Sequence, residues 1–310
     1  MQSHPGRAYL VRTSEMKRIE RVAVFGGGLM GSGIAQVSAA AGFPTVVREI
    51  SRELCDKSRQ SIEKTLAKGI ERQKVTEKER DTTLANLRFA TELADFADAD
   101  LYIEAVVEDL DVKNSLWSQL DKIAGPDAIF ASNTSSLTIV AMAAASGRPD
   151  KMLGLHFFNP VPLMKLVEVV RTITTSDETE KTAIEFVRAL GKEPIRAKDS
   201  SGFVVNRLLI PYMLDAIRAL ESNVATVEDI DKGMQLGAGY PMGPFTLLDF
   251  VGLDTCYKIA EIMFTEYREA RFAPPPLLKR MVLAGMFGRK SGKGFYDYSS
   301  NPPRVSPLGL

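Results

Sequence analysis

The chain has 310 residues, of which 45% are hydrophobic and 25% are charged, and these values are typical of a soluble globular protein. Its 39 basic and 39 acidic side chains balance, which argues against nucleic acid or a membrane surface as a partner. Two cysteines, Cys55 and Cys256, are too few for a disulfide framework and suit a reducing compartment, so we expect a cytoplasmic protein. No apolar run reaches the roughly 20 residues needed to cross a bilayer.

The first segment, residues 1–17, is polar and mildly basic and lacks the apolar stretch of a secretory signal. A mitochondrial presequence is an alternative, but the segment shows no clear arginine-rich amphipathic helix. We therefore expect a disordered leader that ends before a strand beginning at Ile19.

A glycine-rich turn follows this strand. Gly26, Gly28 and Gly31 have the spacing GxGxxG between an apolar run, residues 22–25, and a helix rich in small residues. In a dinucleotide-binding turn the first glycine permits the tight bend and the second lets the backbone approach a pyrophosphate. The third lets the helix pack close to the sheet, so that its N-terminal amides face the anion.

The surroundings of the turn fit a dinucleotide. Leu29 and Met30 begin the helix, and we place them in the cofactor site with the glycines. A second apolar run ends at Glu49, at the distance where a ribose-binding carboxylate is expected. The alternative is an ordinary strand-turn-helix unit without a ligand.

A long helix is predicted over residues 51–80. Its apolar seam consists of residues at helical spacing, which are Leu54, Ser58, Ile62, Leu66 and Ile70. Lys57, Lys64 and Lys68 lie on a different stripe of this helix. They form either an ordinary solvated face or a basic ledge for a phosphate-bearing substrate.

Further strands and helices alternate up to about residue 196. Short apolar segments predict strands over 87–90, 99–105, 128–131, 152–158, 165–170 and 193–196. Helices are predicted over 110–124 and 178–190. Polar residues 132–136 follow one strand at its carboxyl end, where ligands bind in open α/β sheets.

The pattern becomes helical near residue 200. Helices are predicted over 203–220, 227–235, 245–267 and 276–284, and a strand pattern returns only at 294–298. We therefore predict an α/β Rossmann-type doubly wound sheet over residues 18–199. An all-α C-terminal domain is expected over residues 200–310.

His156 is the one histidine outside the leader, and histidine exchanges protons near neutral pH. It follows the strand 152–155, whereas Glu168 interrupts a strand with apolar residues on both faces. A buried carboxylate needs a partner, so we predict a dyad in which Glu168 fixes the imidazole tautomer and stabilises the imidazolium. The alternatives are a structural histidine and a glutamate at a solvated edge. One interior histidine and two distant cysteines leave too few ligands for a metal site.

The sequence closely resembles the 3-hydroxyacyl-CoA dehydrogenase family, particularly its single-function 3-hydroxybutyryl-CoA members, over residues 19–298. Seven blocks in the same order carry the resemblance, namely 26–35, 103–108, 131–137, 156–162, 202–207, 243–254 and 290–296. The resemblance implies an enzyme that oxidises the 3-hydroxyl of an acyl-CoA with NAD, or catalyses the reverse.

The resemblance also assigns roles to residues of this chain. His156 matches the family's general base, Glu168 its orienting carboxylate, and Ser135 and Asn206 the polar groups around the substrate's hydroxyl and thioester. Positions near the dinucleotide are matched by Glu49, Glu108, Lys113, Ser135, Asn159 and Lys290. The family's CoA contacts lie on the helix after the second strand, where Lys57, Lys64, Thr65 and Lys68 occur.

The family forms dimers through its helical domain, so the resemblance implies a homodimer. Glu49 stands where the family often has aspartate, and the neighbouring Arg48 leaves NADP less firmly excluded. The main alternative is a CoA-independent hydroxyacid or sugar-acid dehydrogenase resembling gulonate dehydrogenase. Another alternative is a non-catalytic NAD-binding protein. Such a protein would not need His156 or Glu168, so the presence of both residues favours an enzyme.

Overall fold

The computed structural model describes residues 18–309, so the predicted leader, residues 1–17, lies outside the described residues. Within this range eight strands form one sheet: β1 (Val22–Phe25), β2 (Thr45–Arg48), β3 (Leu87–Ala90), β4 (Leu101–Glu104), β5 (Ile129–Ser132), β6 (Met152–Phe157), β7 (Leu166–Arg171) and β8 (Glu193–Lys198). Their spatial order is β3-β2-β1-β4-β5-β6-β7-β8. The first six strands are parallel, β7 is antiparallel to β6, and β8 is parallel to β7.

The order of the strands reverses between β1 and β4, and the carboxyl ends of these strands therefore flank a topological switch point. Both faces of the sheet are covered. Val24 and Ile103 belong to one apolar cluster, whereas Phe25 and Tyr102 belong to another on the opposite face. The predicted doubly wound sheet is confirmed.

Six helices cover the sheet within the described residues: α1 (Leu29–Ala40), α2 (Arg52–Glu71), α3 (Glu77–Ala85), α4 (Leu110–Asp121), α5 (Ile139–Ala145) and α6 (Asp177–Ala189). The single helix predicted over 51–80 is wrong. The chain leaves α2 at Arg72, and Gln73 adopts a φ of 55°. Thr76 then begins α3, and it forms a capping box with Glu79.

The remaining helices pack around a third apolar cluster that includes Phe245 and Phe295. They are α7 (Val205–Glu221), α8 (Val227–Ala238), α9 (Pro244–Val251), α10 (Leu253–Tyr267) and α11 (Pro276–Leu283). The helix predicted over 245–267 is two helices, because Gly252 interrupts it with a φ of 102°. A small hairpin, β9 (Tyr296–Asp297) with β10 (Arg304–Val305), adds strand structure to this otherwise helical part.

Among the helices of residues 18–309, none has the length and apolar character required to span a membrane.

Candidate active site

The glycine turn between β1 and α1 lies at the topological switch point. Gly26 has a φ of 91°, and a Cβ there would lie 2.6 Å from the carbonyl oxygen of Ala105. A Cβ on Gly31 would lie 1.7 Å from the oxygen of Gly26, whereas a Cβ on Gly28 would meet nothing within 4 Å. The fold therefore requires Gly26 and Gly31, and Gly28 leaves open space before the N-terminus of α1. That space fits a pyrophosphate, which the helix amides attract.

Glu49 follows β2 and faces the same turn. Its Oε1 accepts a hydrogen bond from the amide of Gly27 at 2.5 Å. Large apolar side chains at the same edge of the sheet are exposed, namely Leu29, Ile50 and Val107. A carboxylate beside exposed apolar side chains fits the ribose and the adenine ring of a dinucleotide.

His156 and Glu168 occupy paired positions of the antiparallel strands β6 and β7. The imidazole Nδ1 lies 2.6 Å from Oε2 of Glu168, and both side chains are buried. The other carboxylate oxygen, Oε1, accepts hydrogen bonds of 3.0 Å from the amides of Val204 and Val205. We assign a proton to Nδ1, because the carboxylate of Glu168 can only accept a hydrogen bond. Nε2 is then the nitrogen left to exchange a proton with a substrate.

Lys113 is the centre of an ion-pair network in which Lys113 and Glu104 are buried and Glu108 is half-buried. Lys113 Nζ is 2.6 Å from Oε1 of Glu104 and 3.1 Å from Oε2 of Glu108. Glu104 also accepts a hydrogen bond of 2.7 Å from the hydroxyl of Ser132. Glu104 was not predicted from the sequence. A charged residue at the end of an otherwise apolar strand was the available signal.

Glu108 holds the loop after β5. Its Oε1 accepts hydrogen bonds from the hydroxyls of Thr134 and Ser136 and from the amide of Ser135. Burial raises the pKa of the Glu108 carboxyl, but the Lys113 ammonium and these hydroxyl donors outweigh it, so the net pKa lies below the usual value. Glu108 is therefore a charged anchor for the backbone that carries Ser135.

Asn133 begins the same loop and was also missed as an individual site residue. Its side-chain oxygen accepts a hydrogen bond of 2.9 Å from the amide of Phe157, which ties the end of β5 to β6 next to His156.

A cavity of about 570 Å³ brings eight of the predicted residues together. The predicted residues that line it are Leu29, Met30, Glu108, Lys113, Ser135, His156, Asn159 and Asn206. Its opposite wall comes from α9 and α10 and includes Phe250, Thr255 and Lys258. Glu168 lies behind His156. A second cavity of about 580 Å³, between α1, α2 and α3, contains none of the predicted residues.

Besides Glu168, the three glycines and Glu49, five predicted residues lie outside the lining of the 570 Å³ cavity. Lys290 Nζ is 2.6 Å from Oδ1 of Asp254, which does line the cavity. The predicted CoA contacts on α2 are all exposed, and they are Lys57, Lys64, Thr65 and Lys68. Lys57 forms an ion pair with Glu53 at 2.7 Å, so a carboxylate on the same helix partly neutralises its charge. The CoA role of these residues stays a prediction.

The part of the chain that the structure describes contains no group of three or more His, Cys, Asp or Glu residues that could hold a metal ion.

Comparison with known proteins covers both parts of the chain. Residues 21–200 match the model of the 3-hydroxyacyl-CoA dehydrogenase NAD binding domain, and residues 202–298 match that of the C-terminal domain of the same enzyme. The chain belongs to the 3-hydroxyacyl-CoA dehydrogenase family. The predicted family, an NAD cofactor and an oxidoreductase activity are thereby confirmed.

Individual members of the family are similar along most of the chain. A 3-hydroxybutyryl-CoA dehydrogenase of Mycobacterium tuberculosis is 52% identical over 282 residues, which are 90% of this chain and 99% of that protein. The crystal structure of M. tuberculosis FadB2 is 51% identical with a TM-score of 0.90, and the match covers 91% of this chain and all of that one. That of (S)-3-hydroxybutyryl-CoA dehydrogenase from Ralstonia eutropha is 41% identical with a TM-score of 0.88, over 91% of this chain and all of that one.

Proposed function

We propose that this protein is an NAD-dependent 3-hydroxyacyl-CoA dehydrogenase that interconverts 3-hydroxybutyryl-CoA and acetoacetyl-CoA. The observation that carries the proposal is the buried pair formed by His156 and Glu168. It lies at the wall of a cavity that also exposes Ser135 and Asn206. The relatives named for 3-hydroxybutyryl-CoA support this choice of substrate.

The residues of the chain divide the reaction between them. NAD, when bound, supplies a hydride acceptor for the carbinol carbon of the substrate. His156 Nε2 removes the hydroxyl proton, and the carboxylate of Glu168 stabilises the imidazolium that results. In the reverse direction the imidazolium returns this proton. Ser135 and Asn206 offer hydrogen bonds to the substrate's oxygen atoms from the same cavity.

The CoA portion of the substrate is assigned to the exposed basic face of α2. Lys64 and Lys68 are separated by one helical turn, so both ammonium groups can approach phosphates on one side of the helix. Binding energy from such a remote group can orient the reacting carbon. We therefore expect kcat/KM for 3-hydroxybutyryl-CoA to exceed that for free 3-hydroxybutyrate by at least about a hundredfold.

Steady-state kinetics on both substrates tests this proposal. Comparable activity on the free acid would contradict it and favour the hydroxyacid dehydrogenase alternative. Replacing Lys64 and Lys68 together by alanine should raise KM for the CoA ester, more strongly at low salt, and leave NAD binding unchanged. The matched control replaces two exposed lysines of other helices, Lys181 and Lys279, with the same change in net charge.

We further propose a homodimer that forms through the C-terminal helices. Leu208 on α7 and Leu236 on α8 are 71% and 77% exposed, and large exposed apolar side chains favour an interface. Sedimentation equilibrium should give twice the chain mass of 34.0 kDa. Leu236→Asp should yield monomers, whereas Ile173→Asp, at an exposed site of the sheet domain, should not. A monomeric parent protein would contradict this arrangement.

We also propose a cytoplasmic location, which the two free, buried cysteines support. Fractionation of cells that express the full chain tests it, and recovery outside the cytoplasm would contradict it.

A further inference from the structure

The turn that leads from the sheet into α7 reaches the His156–Glu168 pair with both its backbone and a side chain. Val204 and Val205 donate their amides to Glu168, and the ring of Phe203 lies against His156. We propose that Phe203 is a positioning residue for His156, an inference that rests on the proposed dehydrogenase function. Phe203 acts through the imidazole and the carboxylate and does not itself contact the substrate.

The backbone of this turn has an unusual conformation. Gly202 and Phe203 have successive positive φ values of 81° and 46°. Phenylalanine rarely adopts a positive φ, because its Cβ crowds the backbone, and such residues persist only where their surroundings hold them. The amide of Phe203 closes the turn on the carbonyl of Ser200 at 2.8 Å. The next two amides then point to one oxygen of Glu168 at the positive end of α7.

The ring of Phe203 packs against the imidazole of His156 and restrains its position directly. Its centroid lies 5.5 Å from that of the imidazole with an interplanar angle of 58°, and its side chain is only 5% exposed. Phe158 contacts the same imidazole, with centroids 4.6 Å apart. The Nδ1 hydrogen bond restrains one edge of the imidazole, and the rings limit its tilt.

The left-handed conformation of Phe203 therefore determines both the ring contact with His156 and the two amide hydrogen bonds to Glu168. If Phe203 leaves the left-handed region, its ring and the two amides that follow move together. A buried phenylalanine that only fills the core would affect the amount of folded enzyme. Phe203 should instead affect how fast each folded enzyme transfers the proton, because small displacements of a catalytic group slow the chemical step.

Single-turnover oxidation of NADH by acetoacetyl-CoA separates these two effects. The amplitude reports the fraction of active sites, and the rate constant reports the reaction at each site. We expect Phe203→Leu to lower the rate constant by at least about tenfold with little change in the affinity for NADH. The control is Phe245→Leu, the same change at a buried ring that packs on Phe295 in the helical core. It should leave the rate constant unchanged.

A second variant covers the case in which Phe203→Leu does not fold. Glycine adopts a φ of 46° without strain, so Phe203→Gly permits the same backbone turn and removes the ring. A lowered rate constant supports the proposal. A rate constant equal to that of the parent, with any loss confined to the amplitude, would show that Phe203 is ordinary core packing. If the parent enzyme itself does not reduce acetoacetyl-CoA, the proposed function fails instead.

Discussion

His156 and Glu168 are directly paired in the register of the antiparallel strands β6 and β7, and this pairing places Oε2 of Glu168 2.6 Å from Nδ1 of His156. The dyad thus depends on strand register, because a slip of one residue would move one partner to the opposite face of the sheet. The amides of Val204 and Val205 hold the second oxygen of Glu168. The sheet and α7 therefore orient one carboxylate together.

Removal of the imidazole tests the role of the dyad. We expect His156→Ala to lower kcat by about 10²- to 10⁴-fold with KM for NAD little changed, because NAD binds at the glycine turn. Glu168→Gln should also be strongly impaired, since an amide cannot stabilise an imidazolium. The double variant should be much less than multiplicatively worse, because both side chains act as one unit.

A carboxylate away from the cavity provides the control for these variants. Glu180 is buried and pairs with Arg171 at 3.0 Å, so Glu180→Gln should affect stability more than turnover. Near-normal turnover by His156→Ala would exclude this histidine from the mechanism.

Sequence patterns were sufficient to predict the two partners of the dyad but not their geometry. His156 stood out as the one histidine outside residues 1–17, and Glu168 as a carboxylate in an apolar strand. The antiparallel direction of β7 and the contact with α7 depend on residues distant in the chain, which local periodicity does not encode. Glu104 had a local signal as a charged residue at the end of an apolar strand, but nothing in the strand indicated its contact with Lys113 on the following helix.

Helix boundaries showed a related limit. The apolar seam of the helix predicted over 51–80 ends at Ile70, so the periodicity did not support helix across the break at Gln73. The capping box of Thr76 and Glu79 was the local signal for a second start.

Two glycines of the turn should respond differently to alanine. A Cβ on Gly31 would lie 1.7 Å from a backbone oxygen, so Gly31→Ala should cost more than about 3 kcal/mol of stability or prevent folding. A Cβ on Gly28 would meet no protein atom, so Gly28→Ala should fold normally but bind NADH more weakly. Thermal unfolding and fluorescence titration with NADH distinguish the two. If Gly28→Ala bound NADH as well as the parent, the open space would not be the pyrophosphate site.

Glu49 should set the preference for the cofactor. Its carboxylate can accept hydrogen bonds from both ribose hydroxyls, whereas a 2′-phosphate there meets a like charge. We expect kcat/KM with NADH to exceed that with NADPH by at least tenfold, about 1.4 kcal/mol. Glu49→Ala should reduce this ratio, mainly by weakening NADH. Arg48 provides a contrasting variant, because Arg48→Ala should not improve the use of NADPH. Equal use of both cofactors by the parent enzyme would contradict the role of Glu49.

The carboxylate of Glu108 should make stability depend on pH in the acid range. Its pKa in the folded state lies below the usual value of 4.5, because Lys113 and the loop hydroxyls outweigh the effect of burial. The folded protein therefore binds fewer protons here than the unfolded chain, and the resulting stability is fully present above about pH 4.5. It is lost as the pH falls through the folded pKa. Glu108→Gln should reduce the free energy of unfolding at neutral pH, and the difference from the parent should shrink in acid. Urea unfolding over this range measures the difference, and a value that stayed constant or grew as the pH fell would contradict the assignment.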